Sequence, residues 1–146
     1  MIIVRVGAAD FDVAAELARL EALGGGAVAS FTGIVRGSAD FVSLTLDHYP
    51  AMTQAALEAL AKAAATRWPL HGVTIIHRVG ELGKGARIVL VGTASDHRAA
   101  ALEACAFLID RLKTGAPFWK KERGADGVEV WVDARNSDDA AAARWY

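Results

Sequence analysis

The sequence predicts an α+β domain with a mixed, mostly antiparallel sheet and flanking helices. Three observations lead there. Segments with alternating or β-branched patterns come in adjacent pairs, two such pairs are joined by short glycine-bearing loops, and helical stripes separate one pair from the next. The 146 residues contain no repeat, low-complexity tract or linker, so residues 1–146 are expected to form one domain.

Asp10 can cap a first helix from about Phe11 to Leu23, in which Val13, Leu17 and Leu20 recur at helical spacing. The run Gly24, Gly25, Gly26 ends it. "AVASFTGIVRG" then reads as a strand that loses its pattern at Gly37. "VSLTLDHY" alternates, with Val42, Leu44 and Leu46 on one face and Ser43, Thr45 and Asp47 on the other. After Pro50 a helix runs through Leu57, Leu60, Ala61 and Ala64 to Trp68, and Pro69 closes it. "GVTIIHRVG" and "ARIVLVGTAS" are strands joined by the loop "ELGKG". Ser95 or Asp96 can cap the next helix, where Ala101, Cys105, Leu108 and Leu112 form one stripe and Gly115 and Pro117 bring the stop. "PFWKKE" and "VEVWVD" make a last hairpin across "RGADG", before a short helix that Ser137 could cap.

Composition narrows the function classes. Hydrophobic residues make up 53% and charged residues 23%, the balance of a globular protein. A net charge of −1 and a pI near 6.4 argue against broad nucleic-acid binding but leave room for a local anion site. "MIIVRVGAADFD" is too short an apolar run, with acids too early, for a signal peptide. No segment reaches the roughly 20 apolar residues that cross a bilayer. A lone cysteine, Cys105, excludes an internal disulfide and a Cys-rich metal site. A cytoplasmic protein is expected.

The chemistry concentrates in "LKTGAPFWKKE", which sets Lys113, Lys120 and Lys121 around a Gly-Ala-Pro-Phe-Trp turn. Lys113 falls in the last turn of a helix, where a cation also suits the exposed carbonyls. Lys120 and Lys121 are adjacent on a strand and point to opposite faces, so one of them can converge with Lys113. Such a pair, partly shielded by Phe118 and Trp119, could bind an anion and move protons. The alternative is a set of solvated surface charges. "SDHRA" places His97 and Arg98 in a first helical turn, where free N–H groups and a forked donor suit an anion, or where polar residues simply open a helix. Arg36 closes a strand beside Gly37, where backbone can approach a ligand. His77 shares a face with Val73, Ile75 and Val79 and reads as a satisfied core histidine, as does His48. "GKG" at residues 83–85 lacks the flanking pattern of a phosphate loop. No nucleophile triad, paired-carboxylate motif or metal-ligand spacing is present in the pattern, so no metal or resident cofactor is expected. Residue patterns thus reach as far as an anion pocket of Arg36, His97, Arg98, Lys113 and Lys120.

Six ordered segments, "FTGIVRG", "LTLDHYPAMT", "RWPLHGVTIIHRVGEL", "SDHRAAALEA", "DRLKTGAPFWKKE" and "VWVDARNSD", resemble the large, catalytic subunit of molybdopterin synthase. The likeness covers nearly the whole chain and implies an α/β-hammerhead fold. It implies an enzyme that adds two sulfurs to cyclic pyranopterin monophosphate, giving the dithiolene of molybdopterin. The sulfur would arrive as a thiocarboxylate on the C-terminal Gly-Gly tail of a small ubiquitin-like subunit, with a homodimer at the centre of a heterotetramer. By the same resemblance Lys113 and Lys120 match catalytic lysines, and Arg36, His97 and Arg98 match residues that bind the pterin and its phosphate. Lys121 and Glu122 lie in the same substrate-binding stretch, and Ile34 and Val35 line it by backbone or packing. Arg135 matches an arginine that reaches the partner protomer's site. Ile34 departs from relatives with lysine there, which thins the positive rim, and the short loop "GSADFV" implies a reduced lid.

Two other functions fit parts of the pattern. A non-catalytic module holding a phosphorylated metabolite or a protein tail would need the arginines and His97 but not both lysines. A sulfurtransferase could instead carry a persulfide on Cys105.

Overall fold

The computed structural model describes residues 1–37, 40–132 and 136–145, with 136–139 described by backbone alone. Its described strands form two four-stranded sheets rather than one. Strand β1 (Ile2–Gly7), which the sequence reading left unassigned, pairs in parallel with β4 (Leu70–Arg78). The order of the first sheet is β1-β4-β6-β2, with β2 at Ala27–Ile34 and β6 at Arg87–Ser95. β4 and β6 pair antiparallel as expected, but "ELGKG" is more than their loop. Gly80–Gly83 forms strand β5, which leaves the first sheet to pair with β3 (Phe41–His48). β7 (Phe118–Gly124) and β8 (Glu129–Val132) complete the second sheet in the order β5-β3-β7-β8. The fold is α+β, and β1–β4 is the one parallel pair among the described strands.

Helices cover both faces of the first sheet. On one face lie α2 (Pro50–Arg67) and α3 (Arg98–Gly115). Leu57, Ala61 and Ala64 of α2 and Ala101, Cys105, Leu108 and Leu112 of α3 bury against Val73, Ile75, Val89 and Val91. These are alternate strand positions, so they share one side of the pleat. Each fully buried leucine or isoleucine here contributes ~2 kcal/mol by leaving water. The opposite face takes α1 (Val13–Glu21), whose Leu20 reaches within 2.6 Å of where a Cβ on Gly92 would stand. Glycine at that position is what lets α1 approach. Gly24, with φ +87°, turns the chain out of this helix, as its sequence position suggested.

Three helix starts differ in detail from the sequence reading. Asp12, not Asp10, caps α1 and accepts from the Ala15 N–H at 3.2 Å. Asp10 is drawn aside by the Phe11 N–H at 2.8 Å and by Arg87 at 3.2 Å, and these donors, the Phe11 N–H foremost, hold its carboxyl below the usual range. Neither Ser95 nor Asp96 caps α3, because Ser95 is still in β6 and Asp96 bonds His71 at 2.6 Å, leaving His97 as N-cap without a side-chain bond. The last helix, α4, runs Asn136–Ala143, so Ser137 is already inside it.

Candidate functional site

A cleft of about 500 Å³ opens where the two sheets face each other. Its walls follow from the fold. α3 starts beyond the end of β6 and runs back along the first sheet, so its C-terminal turn arrives at the far end of β4, bringing Lys113 beside His77. From the second sheet, β7 lies along β3 with Phe118 opposite His48, Lys120 opposite Leu46 and Glu122 opposite Leu44. These alternate positions share one face, and Phe118, Lys120 and Glu122 all line the cleft. A register shift between Gly33 and Ile34 ends the regular pairing of β2 and delivers Val35 and Arg36 to the rim. A wider depression of about 1000 Å³ adjoins it and shares Arg36, Phe41 and Glu122. That depression holds neither Lys113 nor Lys120, so the smaller cleft is the candidate site.

Among its described lining residues, Arg36, Lys113 and Lys120 are cations and Glu122 is the single carboxylate. The excess of positive charge, set among Phe31, Leu46, Leu112, Phe118 and Val132, suits an anionic ligand in a poorly hydrated place. Lys113 and Lys120 are both half-buried, whereas Arg36 and Glu122 are exposed. Val35 is buried and Ile34 is 48% exposed, so Ile34 offers apolar surface at the mouth where a lysine would offer charge.

Of the residues expected at an anion pocket, the cleft unites Arg36, Lys113 and Lys120, together with Ile34, Val35 and Glu122. Lys121 points to the opposite face of β7, where it pairs with Glu129 at 3.1 Å and lies 5.3 Å from the Trp131 ring centroid. Trp119 shares that far face and packs edge-on against Tyr49 at 4.8 Å, so of these two neighbouring aromatics Phe118 is the one on the lysines' side. His97 and Arg98 are exposed at the start of α3. The fifteen residues from Arg98 to Lys113 span about 22 Å of helix, so within one chain His97 and Arg98 do not reach this cleft. Arg135 lies outside the described residues, as do Ser38 and Ala39 of the "GSADFV" loop.

His77 is the lining residue that the sequence reading placed elsewhere in role. It is 5% exposed, as a core histidine should be. It also stacks on Phe118, with ring centroids 3.9 Å apart, and faces the cleft with both lysines. Burial, opposed by the bond to the Arg78 carbonyl and reinforced by Lys113, Lys120 and His48, lowers its pKa to about 4. The signal that could have found it is topological: the helix ending in Lys113 must return to the β4 end that carries His77. Cys105 is buried, its Sγ 3.9 Å from the Val91 carbonyl oxygen, and burial pushes its thiol up to about 11. A thiol held that high supplies almost no thiolate for a persulfide relay.

The family model described as "MoaE protein" matches residues 6–115. A molybdopterin synthase catalytic subunit from Mesorhizobium japonicum is 51% identical over an alignment of 146 positions that covers 97% of this chain and 92% of that relative. Among solved structures, a molybdopterin biosynthesis MoaE protein from Burkholderia ambifaria superposes with a TM-score of 0.85 at 49% identity, covering 99% of this chain and 98% of that one. A molybdopterin cofactor biosynthesis protein E from Burkholderia multivorans gives a TM-score of 0.84 at 51% identity, covering 99% and 97%.

Proposed function

The chain belongs to the MoaE family, whose relatives are molybdopterin synthase catalytic subunits, and on that premise we propose how it transfers sulfur. The observation that carries the proposal is the convergence of Lys113 and Lys120, from two different elements, on one cleft rimmed by Arg36. The thiocarboxylate at the Gly-Gly end of a small ubiquitin-like subunit enters this cleft and meets cyclic pyranopterin monophosphate. Both are anions, and three cations against one carboxylate lower the free energy of bringing them together.

The thiocarboxylate sulfur forms a bond to a side-chain carbon of the pterin. An oxygen leaves that carbon with a proton donated by one lysine ammonium. Water then adds to the acyl carbon, and the second lysine stabilises the tetrahedral oxyanion while the acyl–sulfur bond breaks. The tail departs as a carboxylate and the sulfur stays on the pterin. A second thiocarboxylated tail repeats the sequence, which gives the dithiolene. Phe31, Leu46 and Phe118 line the cleft beside the lysines, and their apolar surface lessens the screening of each charge by water.

His97 and Arg98 bind the pterin phosphate across a homodimer, each protomer lending them to the other's cleft. The helix length supports this, because about 22 Å separates them from Lys113 in their own chain. Arg135 serves the partner's site in the same way, and Lys121 steadies β7 against Glu129 beside the site. Edge strands β2 and β8 expose Phe31, Ile34, Val130 and Trp131, the kind of surface that a partner chain covers. One small subunit at each end of the dimer completes a heterotetramer. No described helix is long and apolar enough to cross a membrane, and the enzyme works in the cytoplasm.

The test supplies the purified chain with cyclic pyranopterin monophosphate and a thiocarboxylated small subunit. Mass spectrometry should show a pterin that has gained two sulfurs, and none when the partner's C-terminal glycines are removed. Tight binding of pterin and tail without sulfur gain would make the chain a binding module instead.

A further inference from the structure

Resting on that reading, we propose that His77 is a positioning residue for the lysine pair, a neutral hydrogen-bond acceptor that orients an ammonium without cancelling its charge. Its ring is fixed twice. The Nδ1–H donates to the Arg78 carbonyl oxygen at 2.7 Å, and the ring lies 18° from parallel with Phe118 at 3.9 Å. With Nδ1 carrying the proton, the Nε2 lone pair is left on the other edge of the ring as an acceptor. Phe118 and Lys120 stand two residues apart on one face of β7, about 7 Å along the strand, and Lys113 joins them from the end of α3.

The groups that face His77 are Lys113 from α3, Lys120 from β7 and His48 from β3, with Arg36 and Glu122 farther along the cleft. Burial is the main cause that keeps the ring uncharged, and the near neighbours, cations or a second imidazole, add to it. The ring therefore stays neutral through the physiological range. That neutrality is the useful property. A carboxylate in this position would form a buried ion pair with a lysine and spend the charge that the substrate anions need. A cationic imidazole would repel both lysines. A neutral imidazole can only accept from an ammonium and hold it in place.

Two variants separate this role from simple packing. His77→Phe keeps a flat ring on Phe118 and loses the acceptor, and His77→Gln keeps an acceptor near the Nε2 position. We expect the Phe variant to fold, to keep KM for the pterin, and to lose kcat by roughly 100-fold, the cost of a misplaced reacting group. The Gln variant should recover most of that loss. A second readout needs no turnover: competitive acetylation of the lysines, followed by peptide mass spectrometry. Lys113 or Lys120 should label several-fold faster in the Phe variant than in wild type, and near the wild-type rate in the Gln variant. Unchanged labelling at both lysines overturns the positioning role, whatever the enzyme does to the pterin. So does a folded Phe variant with wild-type kcat, or a Gln variant no better than Phe. Altered labelling in a chain that never converts the pterin would leave the role of His77 standing and remove the proposed function.

Discussion

His77 and Phe118 lie face to face across the junction of the two sheets, 3.9 Å between ring centroids. His77 belongs to β4 in the first sheet and Phe118 to β7 in the second, so this contact helps tie the lysine-bearing strand to the main core. It also makes the junction sensitive to acid.

In the folded chain His77 titrates near 4, against 6.5 in an ordinary environment. Between these values the unfolded chain binds a proton that the native chain does not. The contribution of His77 to stability is therefore fully present above pH 6.5 and is lost as pH falls toward 4, by about 1.4 kcal/mol per unit and ~3 kcal/mol in all. Urea unfolding at pH 7, 6 and 5 should show this slope in wild type, and a shallower one in His77→Phe. Parallel pH dependences in the two proteins would refute it.

A shared site between protomers predicts complementation. Arg98→Ala and Lys120→Ala should each be inactive as homodimers, for different reasons. Mixed dimers of the two should regain activity, because the Arg98→Ala chain keeps its lysines and receives Arg98 from its partner. Unfolding and refolding the two variants together, then assaying, checks this. No recovery in a demonstrably mixed dimer would rule out donation of Arg98 across the dimer.

Much of the architecture was readable from residue patterns, and the failures share a cause. The alternation in "VSLTLDHY" marks β3, with Leu44 and Leu46 buried as expected, although an irregularity between Phe41 and Ser43 leaves Val42 exposed and Ser43 buried. β5 carries two glycines in four residues and becomes a strand only because Leu82 buries against Leu44 and Leu46, a contact between distant segments. β1 is short, and its partner β4 follows some 70 residues later. The site was legible in the same uneven way. Lys120 and Lys121 had to diverge on any strand, and they do. The separation of Arg98 from Lys113 is fixed by the length of α3, yet a list of cations carries no geometry until that helix is placed.

Cys105 should be dispensable for sulfur transfer. Its thiol is buried among Val91, Ala101 and Leu108 and is held in its neutral form by burial. Cys105→Ala should cost about 1 kcal/mol through a small cavity and leave turnover per folded molecule unchanged. Chemical denaturation and the sulfur-transfer assay measure the two effects. A large loss of turnover in well-folded protein would favour a persulfide on this residue.

The central claim is that Lys113 and Lys120 perform the transfer in the cleft between the sheets. Both are half-buried side chains at the edge of a core built by other residues, so alanine at either position should change stability by only about 0.5 kcal/mol. The most direct measurement is single-turnover dithiolene formation from thiocarboxylated small subunit by Lys113→Ala and by Lys120→Ala, with folded fraction determined in parallel. Each variant should be slower than wild type by ~100-fold or more, the scale of lost proton transfer, while remaining folded. Wild-type turnover in both folded variants would contradict the account.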